Sequence, residues 1–285
     1  MLDASAGSIL FGGIDTKKYV GDLSRIAIYP SQRLFTSFIV ALTSLVASSP
    51  SGSDTLTSTS FPIPVVLDTG TTLSYLPNDI ALQAWKEVGA VYSPEFELAL
   101  LPCSMATSKG FFTFGFAGPQ GPKINVSMDE MVLDLTTNTP PVFSSGRYKG
   151  QDACKFGLQN FTQGPYLLGD TFLRSAYVVY DLVNNQIGIA ATDFNSTESN
   201  IVPFPSSSAE IPSATPVPDQ AQATIQPAVT SPAYAASAGF TDSASSSGKK
   251  NAAPGMPGAF GASQLLVMGV TMMLVMFGSG VFLVL

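Results

Sequence analysis

Asp68 is the residue of this sequence best placed to do chemistry. It follows the apolar run Pro64-Val-Val-Leu and precedes Thr69, Gly70, Thr71 and Thr72. A carboxylate at a strand end, on a turn that glycine permits, is presented rather than buried. The hydroxyls around it can hydrogen-bond the carboxylate and fix its orientation. Gly70 allows the backbone to approach a partner or substrate closely. Alone, an Asp-Thr-Gly triplet is an ordinary turn, because Asp and Gly both favour turns. Composition narrows the rest of the chemistry. The chain has no histidine, so no Ser-His-Asp or Cys-His site can be built within it. The common His-containing zinc sites are excluded, and two cysteines are too few for an all-cysteine site. No metal or cofactor is expected. Hydrolysis must rest on carboxylates, Lys, Tyr or Ser.

The elements that would position Asp68 read as mostly β. Short apolar runs separated by turn residues recur at Ser8–Gly13, Arg25–Tyr29, Val65–Leu67, Phe111–Phe114, Met131–Leu133, Tyr166–Leu168, Ala176–Tyr180 and Gln186–Ala190. Their regular spacing predicts a mainly β domain over residues 1–194. One helix is expected over Pro77–Val88, stopped by Gly89, with Trp85 in the core rather than in a site. A second, short helix is expected near Asp170 to Ser175. The Ser/Thr-rich stretch from Ala47 to Ser60 reads as a surface loop. Residues 195–263 are rich in Ser, Ala, Pro and Thr and poor in large apolar side chains. That composition predicts an extended, disordered stalk, resembling an O-glycosylated one.

From 264 to 285 the chain is an uncharged apolar tail, long enough to span a bilayer. It ends without a basic anchor and follows a polar spacer and small residues such as Ser247, Gly248, Asn251, Ala252 and Ala253. This pattern fits a GPI-attachment signal. A C-terminal tail anchor is the alternative. Asn125, Asn160 and Asn195 each begin an N-glycosylation triplet. With them, Cys103 and Cys154 read as one disulfide, the alternative being two unpaired thiols. These features predict the secretory pathway and a cell-surface, GPI-anchored or wall location. Met1 to Gly7 has neither a basic nor an apolar signal region, so the expectation is that the start of the protein is absent. Net charge is −7 with few charged residues, which argues against a nucleic-acid partner.

The segment Val65–Tyr75, VVLDTGTTLSY, resembles the second active-site motif of the pepsin-like aspartic endopeptidases. Three further stretches agree, in order. Gly7–Tyr19 resembles the segment opening the family's C-terminal lobe. Leu167-Leu-Gly-Asp-Thr-Phe-Leu-Arg resembles its hydrophobic-hydrophobic-Gly motif beside the catalytic loop. Tyr177–Ala190 resembles its closing hairpin. The stalk and tail resemble those of fungal surface members. The resemblance covers residues 1 to about 192 and implies one lobe of a bilobal β fold. It implies Asp68 as a catalytic carboxylate in a loop with Thr69, Gly70 and Thr71. Thr69 would brace the loop against the other lobe, and Gly70 and Thr72 would contact substrate backbone. The implied partner is a protein or peptide substrate. Asp15, Asp170 and Asp181 lie in family motifs but read as turn-capping residues.

The sequence departs from the family in one respect. A pepsin-like site needs two Asp-Thr/Ser-Gly loops, and this chain has one; Asp15-Thr-Lys, Asp54-Thr-Leu and Asp170-Thr-Phe lack the glycine. The expectation is a partial sequence without the N-terminal lobe, inactive alone. The alternatives are a symmetric dimer joining two Asp68 residues and a non-catalytic, single-lobe surface glycoprotein.

Overall fold

Phe112, Phe114 and Phe116 alternate along one strand and are fully buried on one face, the period of two that a half-covered sheet imposes. They belong to a computed structural model that describes residues 8–31, 33–135, 139–221 and 240. Along the chain run β1 (Gly13–Asp15), β2 (Tyr19–Ala27), β3 (Ile39–Ser49), β4 (Gly52–Leu56), β5 (Ile63–Leu67) and β6 (Ser74–Pro77). Helix α1 (Asn78–Val88) follows, then β7 (Val91–Ser93), β8 (Leu98–Pro102), β9 (Phe111–Phe116) and β10 (Lys123–Ser127). The short α2 (Met128–Met131) leads into β11 (Val132–Asp134), β12 (Ala153–Phe156), β13 (Leu158–Phe161) and β14 (Tyr166–Leu168). The last elements are α3 (Asp170–Leu173), β15 (Ala176–Asp181), β16 (Gln186–Thr192), β17 (Ile201–Pro203) and β18 (Ala214–Pro216).

The largest sheet has the order β10-β9-β3-β5-β14-β6-β13, with β4 also on β3. Two smaller sheets run β11-β12-β8-β7 and β15-β16-β2-β18, and β1 pairs with β17. One main core fills the space between them, drawing Leu42, Leu45, Phe156 and Ile187 from three different sheets and Phe172 from α3. The helix α1 lies where the sequence predicts it. Gly89 ends it with φ 72°, a left-handed turn that glycine adopts without steric cost. Trp85 is 7% exposed and donates its indole N–H to the Leu158 carbonyl at 2.8 Å. This bond pins α1 to β13. Cys103 and Cys154 form a disulfide with Cα atoms 4.9 Å apart.

Three expectations are corrected. Ala47 to Ser60 is not a loop: β3 and β4 form a hairpin there, Ser48 opposite Ser53 and Ser49 opposite Gly52. Ser and Thr obscure it because cross-strand pairing, not propensity, sets the strands. Ser8 to Gly12 is not a strand; Ile9 and Phe11 are exposed, and pairing begins at Gly13. The disordered stalk does not begin at 195. β17 pairs with β1, β18 pairs with β2, and Ile211 is buried, so the folded unit runs on to Ala221. Most of the predicted stalk and the whole tail lie outside the described residues. No described helix is long and apolar enough to cross a membrane.

Candidate active site

Asp68 sits one residue beyond the end of β5, where two parallel strands finish together. β5 and β14 pair through Val65–Tyr166, Val66–Leu167 and Leu67–Leu168. The Asp68 N–H then donates to the Leu168 carbonyl at 3.0 Å. The ladder therefore carries the chain to the carboxylate before the backbone turns away. Buried Val65 and Leu67 fix that register, since a slip of one residue would exchange the two faces.

The loop holds its own carboxylate. One carboxylate oxygen, Oδ1, accepts the Gly70 N–H at 2.9 Å, and Oδ2 accepts the Thr71 hydroxyl at 2.5 Å. Asp68 is half-buried, whereas Thr69, Gly70 and Thr72 are exposed. Gly70 does not use a left-handed conformation here. A Cβ on it would lie 3.3 Å from Asp68 Oδ1, so its value is the room it leaves beside the carboxylate. Thr69 is exposed to solvent.

A second strap holds the loop from behind. Asp170 N–H donates to the Thr71 carbonyl at 2.8 Å, and Thr171 N–H donates to the Thr72 carbonyl at 3.1 Å. Gly169 lies between, and a Cβ there would meet the Thr71 carbonyl oxygen at 2.2 Å and that of Leu73 at 2.5 Å. Only hydrogen fits. Below, the fully buried Thr171 hydroxyl donates to the Gly157 carbonyl at 3.0 Å and lies 3.0 Å from the Ser74 hydroxyl. Sequence reasoning quotes Ser74 and Thr171 within its motifs but assigns neither a role. They are 97 residues apart, and no local pattern links them.

The electrostatics follow the same geometry. Burial pushes the Asp170 carboxyl up, with the Asp68 charge adding to it and Arg174 opposing. Burial and the Asp68 charge together push the Tyr180 phenol up to about 12. The Tyr180 ring meets Phe38 edge-on at 4.5 Å, and Phe38 O accepts the Leu67 N–H at 3.2 Å. Asp15 and Asp181 are elsewhere, closing turns. Asp15 accepts Lys17 N–H, Asn200 N–H and the Ser199 hydroxyl. Asp181 accepts the Asn184 and Gln186 side chains. Burial would raise both carboxyls, but these donors hold them below the usual range. Cys103, Cys154 and Asp134 cluster, yet both sulfurs are committed to the disulfide.

A strand-end Asp-Thr-Gly loop, strapped by a Leu-Leu-Gly-Asp-Thr segment, is thus the chemical centre of the described residues. The family model for eukaryotic aspartyl proteases matches residues 2–192. The chain belongs to that family. Among curated relatives of this eukaryotic aspartyl protease family chain, "Probable aspartic-type endopeptidase OPSB" of Arthroderma benhamiae is 44% identical over 219 residues, covering 76% of this chain and 43% of the relative. The Aspergillus fumigatus protein described as "Probable aspartic-type endopeptidase opsB" is 39% identical, covering 76% and 42%. "Secreted aspartic protease 9" of Candida albicans is 34% identical, covering 69% and 34%. The chain therefore spans less than half the length of these relatives.

Proposed function

We propose that this chain is the Asp68-bearing lobe of an aspartic-type endopeptidase. The observation that carries the reading is the Asp68 carboxylate, held by Gly70 N–H and the Thr71 hydroxyl at the mouth of two parallel strands. Each bonded oxygen keeps a further lone pair for a water or a second carboxyl group. In this chemistry two carboxylates share one proton, because like charges about 3 Å apart do not both ionise readily. The ionised group takes a proton from water as that water attacks the peptide carbonyl. The protonated group hydrogen-bonds the carbonyl oxygen, and a proton then reaches the leaving amine. The pair titrates as a unit, so cleavage belongs to mild acid.

In this reading Asp68 supplies one carboxylate and a second lobe supplies the other. Exposed Thr69 faces that lobe, and exposed Gly70 and Thr72 present backbone to an extended peptide substrate. Asn125 and Asn195, both exposed, and half-buried Asn160 are proposed glycan acceptors. The 264–285 tail, outside the described residues, is proposed as a GPI signal that delivers the lobe to the cell surface. The test is peptide cleavage in mild acid by the purified chain alone. No cleavage is expected; pepstatin-sensitive cleavage that disappears in Asp68→Asn would show that the single lobe is sufficient.

A further inference from the structure

Phe240 lies deep in the stretch whose composition predicts a stalk, yet it is seated on the lobe. It is the sole aromatic between Tyr234 and Phe260. Its ring packs on Phe112 with centroids 5.4 Å apart, against the edge of the main core. Its N–H donates to the Glu87 carbonyl at 2.7 Å. That carbonyl is in the last turn of α1, where helical C=O groups lack a partner within the helix. Gly110 forms the wall of the seat: a Cβ there would lie 2.6 Å from two ring carbons of Phe240. A core aromatic, an open helix carbonyl and a missing side chain therefore converge on one residue.

The seat lies at a defined end of the lobe. β3 is antiparallel to both β5 and β9. Phe38, next to β3, bonds Leu67 beside the active-site loop, whereas Ser48 at the other end of β3 pairs with Phe111, the neighbour of Gly110. Ten residue steps of extended chain separate Phe38 from Ser48, about 30 Å. Chain length permits the connection. Ala221 bonds Ala117 at the near end of β9, and Gly110 is seven steps back along that strand, about 23 Å. The nineteen steps from 221 to 240 reach up to roughly 60 Å.

We propose that the Gly110–Phe112–Glu87 seat is a latch for the chain's own Phe240, holding that residue at the end of the lobe remote from Asp68. The test uses the full chain and chymotrypsin, which cuts after aromatic residues, with cleavage after Tyr234 as internal reference. In Gly110→Ala, cleavage after Phe240 relative to Tyr234 rises by about tenfold, equivalent to about 1.4 kcal/mol. Amide exchange at Phe240 is slow in the parent chain and fast in the variant. An unchanged cleavage ratio, with native exchange elsewhere, overturns the latch. If Gly110→Ala does not fold, Phe240 amide exchange in the parent chain decides: protection supports the latch, and free exchange overturns it.

Discussion

The Thr71 hydroxyl carries much of the orientation of Asp68. Its 2.5 Å bond to Oδ2 is the shorter of the two that the loop supplies. Hydrogen bonds to charged groups contribute about 1.5–3 kcal/mol. Thr71→Val keeps the shape and removes the donor. We expect kcat/KM of a completed two-lobe enzyme to fall by roughly tenfold or more, with the folding of the lobe nearly unchanged. A comparison of Thr71→Val with Thr71→Ser checks this, because serine restores the hydroxyl. At this scale the sequence was informative where chemistry is local. Asp68, Thr69, Gly70, Thr71 and Thr72 are contiguous and stand out. Ser74 and Thr171 do not, because their meaning exists only after β6 and α3 meet.

Among the elements, the β5–β14 pair decides where the carboxylate points, and Gly169 decides whether the two can close. A Cβ at that position would overlap two carbonyl oxygens. Overpacking of this kind costs about 1–3 kcal/mol, occasionally more. Gly169→Ala is therefore expected to lower unfolding stability by roughly 3 kcal/mol and to displace the 68–72 loop. Urea denaturation and the amide exchange of Asp170 and Thr171 measure both effects. Unchanged protection of those amides would mean that the strap is not what holds the loop. β5, β14 and β15 were legible because their apolar runs are bounded by turn residues. The β3–β4 hairpin was not, because its Ser and Thr residues mimic a loop. β17 and β18 were hidden in a stretch whose composition alone cannot support a fold; they exist because β1 and β2 offer them edges.

At the scale of the whole described fold, one buried carboxyl away from the Asp68 loop favours stability in acid. Glu87 is 3% exposed and has an oxygen without a hydrogen-bond partner. Burial, assisted by Asp54 and opposed by Lys86, pushes its carboxyl up to about 7 from 4.5. Between those values the folded lobe keeps the proton that the unfolded chain releases. Its contribution to stability is therefore complete below the unfolded value and is lost as pH rises through the folded one. The loss is on the order of 3 kcal/mol. Glu87→Gln, neutral at every pH, should flatten the fall in Tm between about pH 4 and pH 8. An unaltered slope would assign the pH dependence to other groups.

The proposal that Asp68 is one half of a two-carboxylate site is tested most directly by completing it. This chain can be joined to the parts of the Arthroderma benhamiae relative that it does not cover, and peptide cleavage measured in mild acid with and without pepstatin. The predicted result is pepstatin-sensitive cleavage by the joined protein that Asp68→Asn abolishes. Cleavage that survives Asp68→Asn would contradict the role assigned to this carboxylate.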